Sequence, residues 1–196
     1  MADVLLVHHV QGLTDGVLAL AEQLRAGGHT VTTPDLYGGA TFTEMSDGFA
    51  HQSGLGEEAV AEQLGGVLAG LPDGLVYAGI SWGVPMAQRL AQTRGGARGA
   101  LLYEACIPVT GEWAFGPWPA TVPVQVHGME RDEFFGLEGD LDAARGIVEA
   151  VGPDVAELFV YPGEAHLFTD SSLPSYDAAA AALVVERSLA FLDRLD

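Results

Sequence analysis

Three kinds of residue in this sequence stand where they could carry out acyl transfer. Ser81 sits alone between two glycines in "LVYAGISWGVPMAQRL", where an apolar run, Leu75 to Ala78, stops at Gly79 and a helical pattern begins near Gly83. A strand–Gly-x-Ser-x-Gly–helix turn lifts a serine oxygen above the sheet, and glycines flank it because side chains there would strike the adjoining strand and helix. The helix that follows points its first amides at the same spot and favours negative charge there. Pro85 suits that first turn, where an amide hydrogen has no intrahelical use. A nucleophilic serine needs a base and an orienting acid, which in this kind of fold follow in the order Ser, acid, His. "YPGEAHLF" supplies His166 just past the last strand-like run. "VQVHGMERDEFF" supplies Asp132 or Glu130 just past the run before it.

For these groups to meet, the chain must bring several strand ends to one edge. Strands are expected at Val4–Val7, Thr30–Thr33, Leu75–Ala78, Ala100–Tyr103, Val122–Val126 and Leu158–Tyr161. Several are continuously apolar, as strands covered on both faces are. Helices are expected near 15–26, 57–70, 83–93, 140–150 and 176–194. Ser175 is the expected N-cap of the last, whose Leu183, Val184, Phe191, Leu192 and Leu195 fall on one face. Such alternation predicts an α/β fold of about six mostly parallel strands with helices on both faces. With no linker or repeat, residues 1–196 read as a single domain. The irregular stretches 38–56 and 104–120 each follow a strand and belong at the carboxyl edge, where open α/β sheets bind ligands.

The composition narrows the function classes. The chain has 196 residues, 48% of them hydrophobic, enough for a sizeable core. Acidic residues outnumber basic ones 27 to 8, for a formal charge of −19. That field repels phosphate backbones and anionic lipid, so neither nucleic acid nor membrane is an expected partner. There is no lysine, which excludes a Walker A loop and a lysine Schiff base. Cys106 is the one cysteine, and "MADVLLVHHVQG" lacks the positive start and apolar length of a signal peptide. A cytoplasmic monomer or homodimer is expected. No His/Cys/Asp spacing suggests a metal.

The sequence resembles the dienelactone hydrolases of the α/β-hydrolase superfamily. The similarity runs through "HHVQGLTDG", "PDLYGG", "GISWG" and the long "PGEAHLFTDSSLPSYDAAAAALVVERSLAFL". It implies a compact fold without a cap domain and a triad of Ser81, Asp132 and His166. Asp132 is favoured over Glu130 because "DEFF" is similar to the acid-plus-aromatics segment of related enzymes. The resemblance also implies an oxyanion hole from the backbone amides of Trp82 and Val10. Two departures matter. Archetypal members have a cysteine nucleophile and a glutamate beside it, where this chain has Ser81 and His9. They also carry a substrate-gripping arginine four residues after the histidine, where this chain has Asp170. An acid there argues against an anionic dienelactone as substrate.

His8 and His9, adjacent on a strand, would point to opposite faces and cannot be a metal pair. His9 and Gln11 after the first strand, Glu104 after the fourth, and Trp113, Phe134 and Asp170 in edge loops are candidate substrate-contacting residues. His127 reads as a strand-end group, His29 and His51 as surface, and Cys106 as a small buried residue. The expected activity is cofactor-free hydrolysis of a small neutral ester or lactone through an acyl-enzyme. The alternatives are a thioesterase or acyltransferase on the same triad, or a non-catalytic small-molecule binder. A flavodoxin-like nucleotide binder is disfavoured because no glycine-rich phosphate loop opens the first helix.

Overall fold

The computed structural model describes residues 1–195. Its six strands are β1 (Asp3–Val7), β2 (Thr30–Thr32), β3 (Val76–Ile80), β4 (Gly99–Tyr103), β5 (Val124–Met129) and β6 (Ala156–Tyr161). All pair in parallel, in the order β2-β1-β3-β4-β5-β6. The helices are α1 (Asp15–Ala26), α2 (Met45–Leu55), α3 (Glu57–Ala69), α4 (Val84–Thr93), α5 (Asp140–Val151) and α6 (Ala178–Arg194). No cap domain interrupts them.

Side-chain alternation along the strands divides the interior into two cores. Leu5, Tyr77, Leu102 and Val126 face α3, α4 and α5. Leu6, Ala78, Leu101 and Tyr103 face α1 and α6. Both sheet faces are therefore dry, which is why the central strands read as unbroken apolar runs. A fully buried residue such as Phe191 of α6 contributes about 1.5–3 kcal/mol of transfer free energy to this layer.

Four details differ from the sequence expectations. Residues 45–55 form α2 inside a stretch read as irregular; with two glycines and a single buried residue it carries little helical signal. β5 begins two residues late and runs on to Met129, because Pro123 has no amide hydrogen for the ladder while its carbonyl accepts from Ala100 N. The α6 cap is Asp177, whose carboxylate accepts from the Ala179 and Ala180 amides. Ser175 instead donates to Leu167 O, and Leu183 of α6 is exposed.

Candidate active site

β3 ends at Ile80, and Ser81 follows with φ 48°, a left-handed conformation unusual for a residue with a side chain. One tight turn, Ser81–Gly83, leads straight into α4. The flanking glycines are required by contact: a Cβ on Gly79 would lie 2.5 Å from Gly83 O, and one on Gly83 would lie 2.4 Å from Val7 O. The elbow thus presses on the end of β1, and only hydrogen atoms fit between them.

The loops after β5 and β6 meet at this elbow. Ser81 Oγ lies 2.8 Å from His166 Nε2, and His166 Nδ1 lies 2.7 Å from Asp132 Oδ2. With the proton on Nδ1, His166 donates to Asp132 and Nε2 is free to accept from the serine hydroxyl. The other Asp132 oxygen accepts from Phe134 N at 2.9 Å, so the fully buried carboxylate is held from two sides. A π-helical turn, Glu133–Leu137, follows directly and sets that geometry. Glu130, one turn away, is half exposed and paired with Arg131, far from this role. Burial pulls the His166 imidazole down; the Asp132 hydrogen bond and the charges of Glu104, Asp132 and Asp140 outweigh it, and its pKa is raised.

Val10 lies in the turn after β1, and the pairing of Val7 with Gly79 brings that turn beside the elbow. Trp82 follows the serine at the head of a helical segment, where backbone amides have no intrahelical acceptor. α2 packs directly on the turn: a Cβ on Gly48 would meet Val10 O at 2.2 Å. Gln11 is spent on bracing the same region, donating to Phe42 O at 3.0 Å and Thr43 O at 2.6 Å.

The remaining candidates separate clearly. The Phe134 ring packs against the imidazole of His166, with ring centroids 4.6 Å apart. Trp113 is 78% exposed, on the outside of its loop. His8 and His9 lie beyond β1 rather than on it. His8 Nδ1 donates to His9 O, Nε2 accepts from Leu36 N, and burial lowers the ring to about 4. His9 Nδ1 accepts from Gln11 N, so its Nε2 donates to Asp170 Oδ2 at 2.7 Å, with both side chains wholly buried. Asp170 also accepts from Thr14 Oγ1 and from Ser172 N and Oγ. Its placement corrects the expectation of a substrate-facing acid: the carboxylate braces the start of α1 and the His166 loop from within. Glu104, fully buried, bonds Thr169 N.

Two residues read as surface pack inward, His51 half-buried and His29 fully. His51 packs between Tyr37 and Phe42, and His29 is buried with its Nδ1 accepting from Ala2 N. Trp82 stacks on His8 and packs at a tilt against Tyr37, with centroids 5.5 and 5.2 Å away. Beyond the Trp82 ring, a cleft of about 570 Å³ runs between α3 and α4, lined by Val60, Leu64, Met86, Leu90 and Phe115. No cue of period or motif marked this cleft in advance; it arises from two helices meeting beside the elbow.

Among solved structures the chain is similar to a dienelactone hydrolase-like promiscuous phosphotriesterase from metagenomic libraries. The two are 19% identical with a TM-score of 0.76, over 100% of this chain and 87% of that one. An α/β hydrolase from a Medee basin deep-sea metagenome library matches at 18% identity and TM-score 0.62, over 98% and 84% of the two chains. Esterase 2 of Thermogutta terrifontis, phosphoramylated by tabun, matches at 13% and 0.62, over 99% and 83%. No curated protein matches. These likenesses establish the fold; the sequence pattern of the dienelactone hydrolase family extends over residues 2–195, and the chain belongs to that family.

Proposed function

We propose that the protein is a serine hydrolase of small, neutral carboxylic esters or lactones. The observation that carries this reading is the continuous relay Ser81 Oγ–His166 Nε2 and His166 Nδ1–Asp132, at 2.8 and 2.7 Å. In this scheme His166 takes the Ser81 proton as Oγ bonds to the carbonyl carbon, and Asp132 holds the imidazole and balances its charge. The Trp82 and Val10 amides take the developing oxyanion, the largest electrostatic contribution in such reactions. His166 returns its proton to the leaving alkoxide, and a water activated by the same imidazole then hydrolyses the acyl-enzyme. The scheme needs no cofactor.

The apolar cleft beside Trp82 supports an alkyl or aryl group on one side of the scissile bond. Its volume lies within the ~300–1,000 Å³ usual for small-molecule sites. Neutral substrates are favoured because Glu104, Asp132 and Asp140 surround the imidazole electrostatically and Arg89, an exposed residue, is the one cation lining the cleft. The protein named for phosphotriesters and the esterase carrying a tabun adduct, both similar in fold, support a hydrolase reading.

The test is a hydrolysis screen over matched neutral esters, lactones and thioesters, with Ser81→Ala as control. Turnover of esters or lactones that disappears in the variant supports the reading. Preference for thioesters over oxygen esters by more than about tenfold in kcat/KM, a difference of ~1.4 kcal/mol, would favour the thioesterase alternative. Saturable ligand binding with no turnover of any member would favour a non-catalytic binder.

A further inference from the structure

Among the described residues, three other than glycine have a positive φ: Ser81 at 48°, Leu167 at 60° and Glu104 at 64°. The first is the nucleophile elbow and the second directly follows His166. Glu104, immediately after β4, is the third, and the acyl-transfer scheme above leaves it idle. Keeping a side-chain-bearing residue in such a region is costly, and such positions cluster at functional sites. Its surroundings hold it there. Glu104 N donates to His127 O at 2.7 Å, and Glu104 Oε1 accepts from Thr169 N at 3.0 Å.

Glu104 is fully buried, its carboxylate lies against both the amide and the side chain of Thr169, and among the described residues no positively charged side chain bonds its second oxygen, Oε2. A buried carboxylate with only neutral partners is costly unless a positive charge or a proton compensates it. Burial raises the Glu104 pKa to about 7, and the nearby charge that opposes this most is His166. Asp132 also faces Glu104, and Asp140, at the start of α5, faces His166 and Asp132. His127 in β5, next to the Glu104 amide, is held neutral by burial, at about 3. No group of three acidic, histidine or cysteine side chains is arranged here for a metal ion among the described residues.

Resting on the acyl-transfer reading, we propose that Glu104 is a positioning residue of this site. Its carboxylate anchors the His166 loop through the Thr169 amide and lends a second negative charge to the imidazolium formed as Ser81 is acylated. Asp132 orients the ring by direct contact; Glu104 acts on it through space and through the loop. The two carboxylates therefore divide one task, and His166 and Glu104 take up protons as a coupled pair.

Glu104→Gln separates charge from anchoring, because the amide carbonyl can still accept from Thr169 N. The His166 ring is titrated by NMR in the resting protein, which needs no turnover. In the wild type its midpoint should lie above ~6.5, spread over more than one inflection. In Glu104→Gln it should become a single step moved down by at least about 0.5 pH unit, because a neighbouring negative charge has been removed. The acid limb of the kcat/KM–pH profile should move with it, and Glu104→Ala, which also loses the anchor, should lose more in kcat. A midpoint within about 0.2 pH unit of wild type, with equal losses in both variants, would show a purely structural residue and overturn the proposal. If the Gln variant does not fold, the wild-type titration decides: a single step at or below ~6.5 overturns the proposal. Absence of ester hydrolysis by the wild type would count against the acyl-transfer reading, while the titration still decides the coupling.

Discussion

Asp170 Oδ2 lies 2.7 Å from His9 Nε2, with neither side chain reached by solvent, and this pair joins the loop after β1 to the loop that carries His166. Both loops contribute to the site, so their separation depends on this contact. Burial alone would raise the Asp170 carboxyl, but the hydrogen bonds from His9, Ser172 and Thr14 outweigh it and bring it to about 2.

That depression makes a stability prediction with a definite sign. The folded form binds the Asp170 proton more weakly than the unfolded chain, so the stabilisation is present above the unfolded value near 3.9 and is lost as pH falls through about 2. We predict that Asp170→Asn lowers unfolding free energy at pH 7 by roughly 2–3 kcal/mol, with a smaller gap at pH 3. Urea denaturation at the two pH values measures it; an equal gap at both would mean that the carboxylate's charge contributes nothing. Asp170→Asn should leave the preference for neutral over carboxylated esters unchanged.

The proposed role of Asp132 as triad acid gives a second prediction. Asp132→Asn should reduce kcat by on the order of 10³–10⁴, as in other triads. Glu130→Gln, which alters a half-exposed residue paired with Arg131, should change kcat less than about threefold. Steady-state kinetics on one neutral aryl ester ranks them, and the reverse ranking would move the role to Glu130.

The sequence carried much of the architecture because its information was local. Ser81 between glycines and His166 beyond a strand announce themselves by context, and the structure sets them 2.8 Å apart. The choice between Asp132 and Glu130 was not legible from spacing alone, since it depends on a π-helical turn that turns Asp132 inward. Asp170 departs from the sequence expectation because an equivalent slot does not imply an equivalent direction: its neighbours Thr14 and Ser172 draw it into the protein. The cleft and the aromatic packing of His51 arise from contacts between distant segments, α2 among them, which neither periodicity nor composition displays.

A third prediction concerns the close contact of elbow and β1. Gly83→Ala would place a methyl 2.4 Å from Val7 O and 2.7 Å from His8 O, and backbone cannot yield cheaply there. We expect a loss of several kcal/mol, beyond the ~1–3 typical of overpacking, and a lowered Tm. Gly65→Ala, with nothing within 4 Å of the added carbon in α3, should be neutral or slightly stabilising. Thermal melts of the pair test the contact; equal melting temperatures would contradict it.

The cleft makes a fourth. Met86, half-buried in α4, is one of its lining residues. Met86→Trp should fill part of the space and lower kcat/KM for a hexanoate ester by about tenfold, or ~1.4 kcal/mol. The same variant should keep acetate ester turnover within about threefold, since the relay is untouched. Equal losses for both chain lengths would show that acyl groups bind elsewhere.

The central claim is that Ser81 is a nucleophile activated by His166, and covalent labelling tests it most directly. A fluorophosphonate probe, followed by peptide mass spectrometry, should mark Ser81 in the wild type. Marking should fall by at least ~10³ in rate in His166→Gln, as expected when a triad base is lost. It should vanish in Ser81→Ala. Labelling of another residue, or labelling of Ser81 that is indifferent to the loss of His166, would contradict the account.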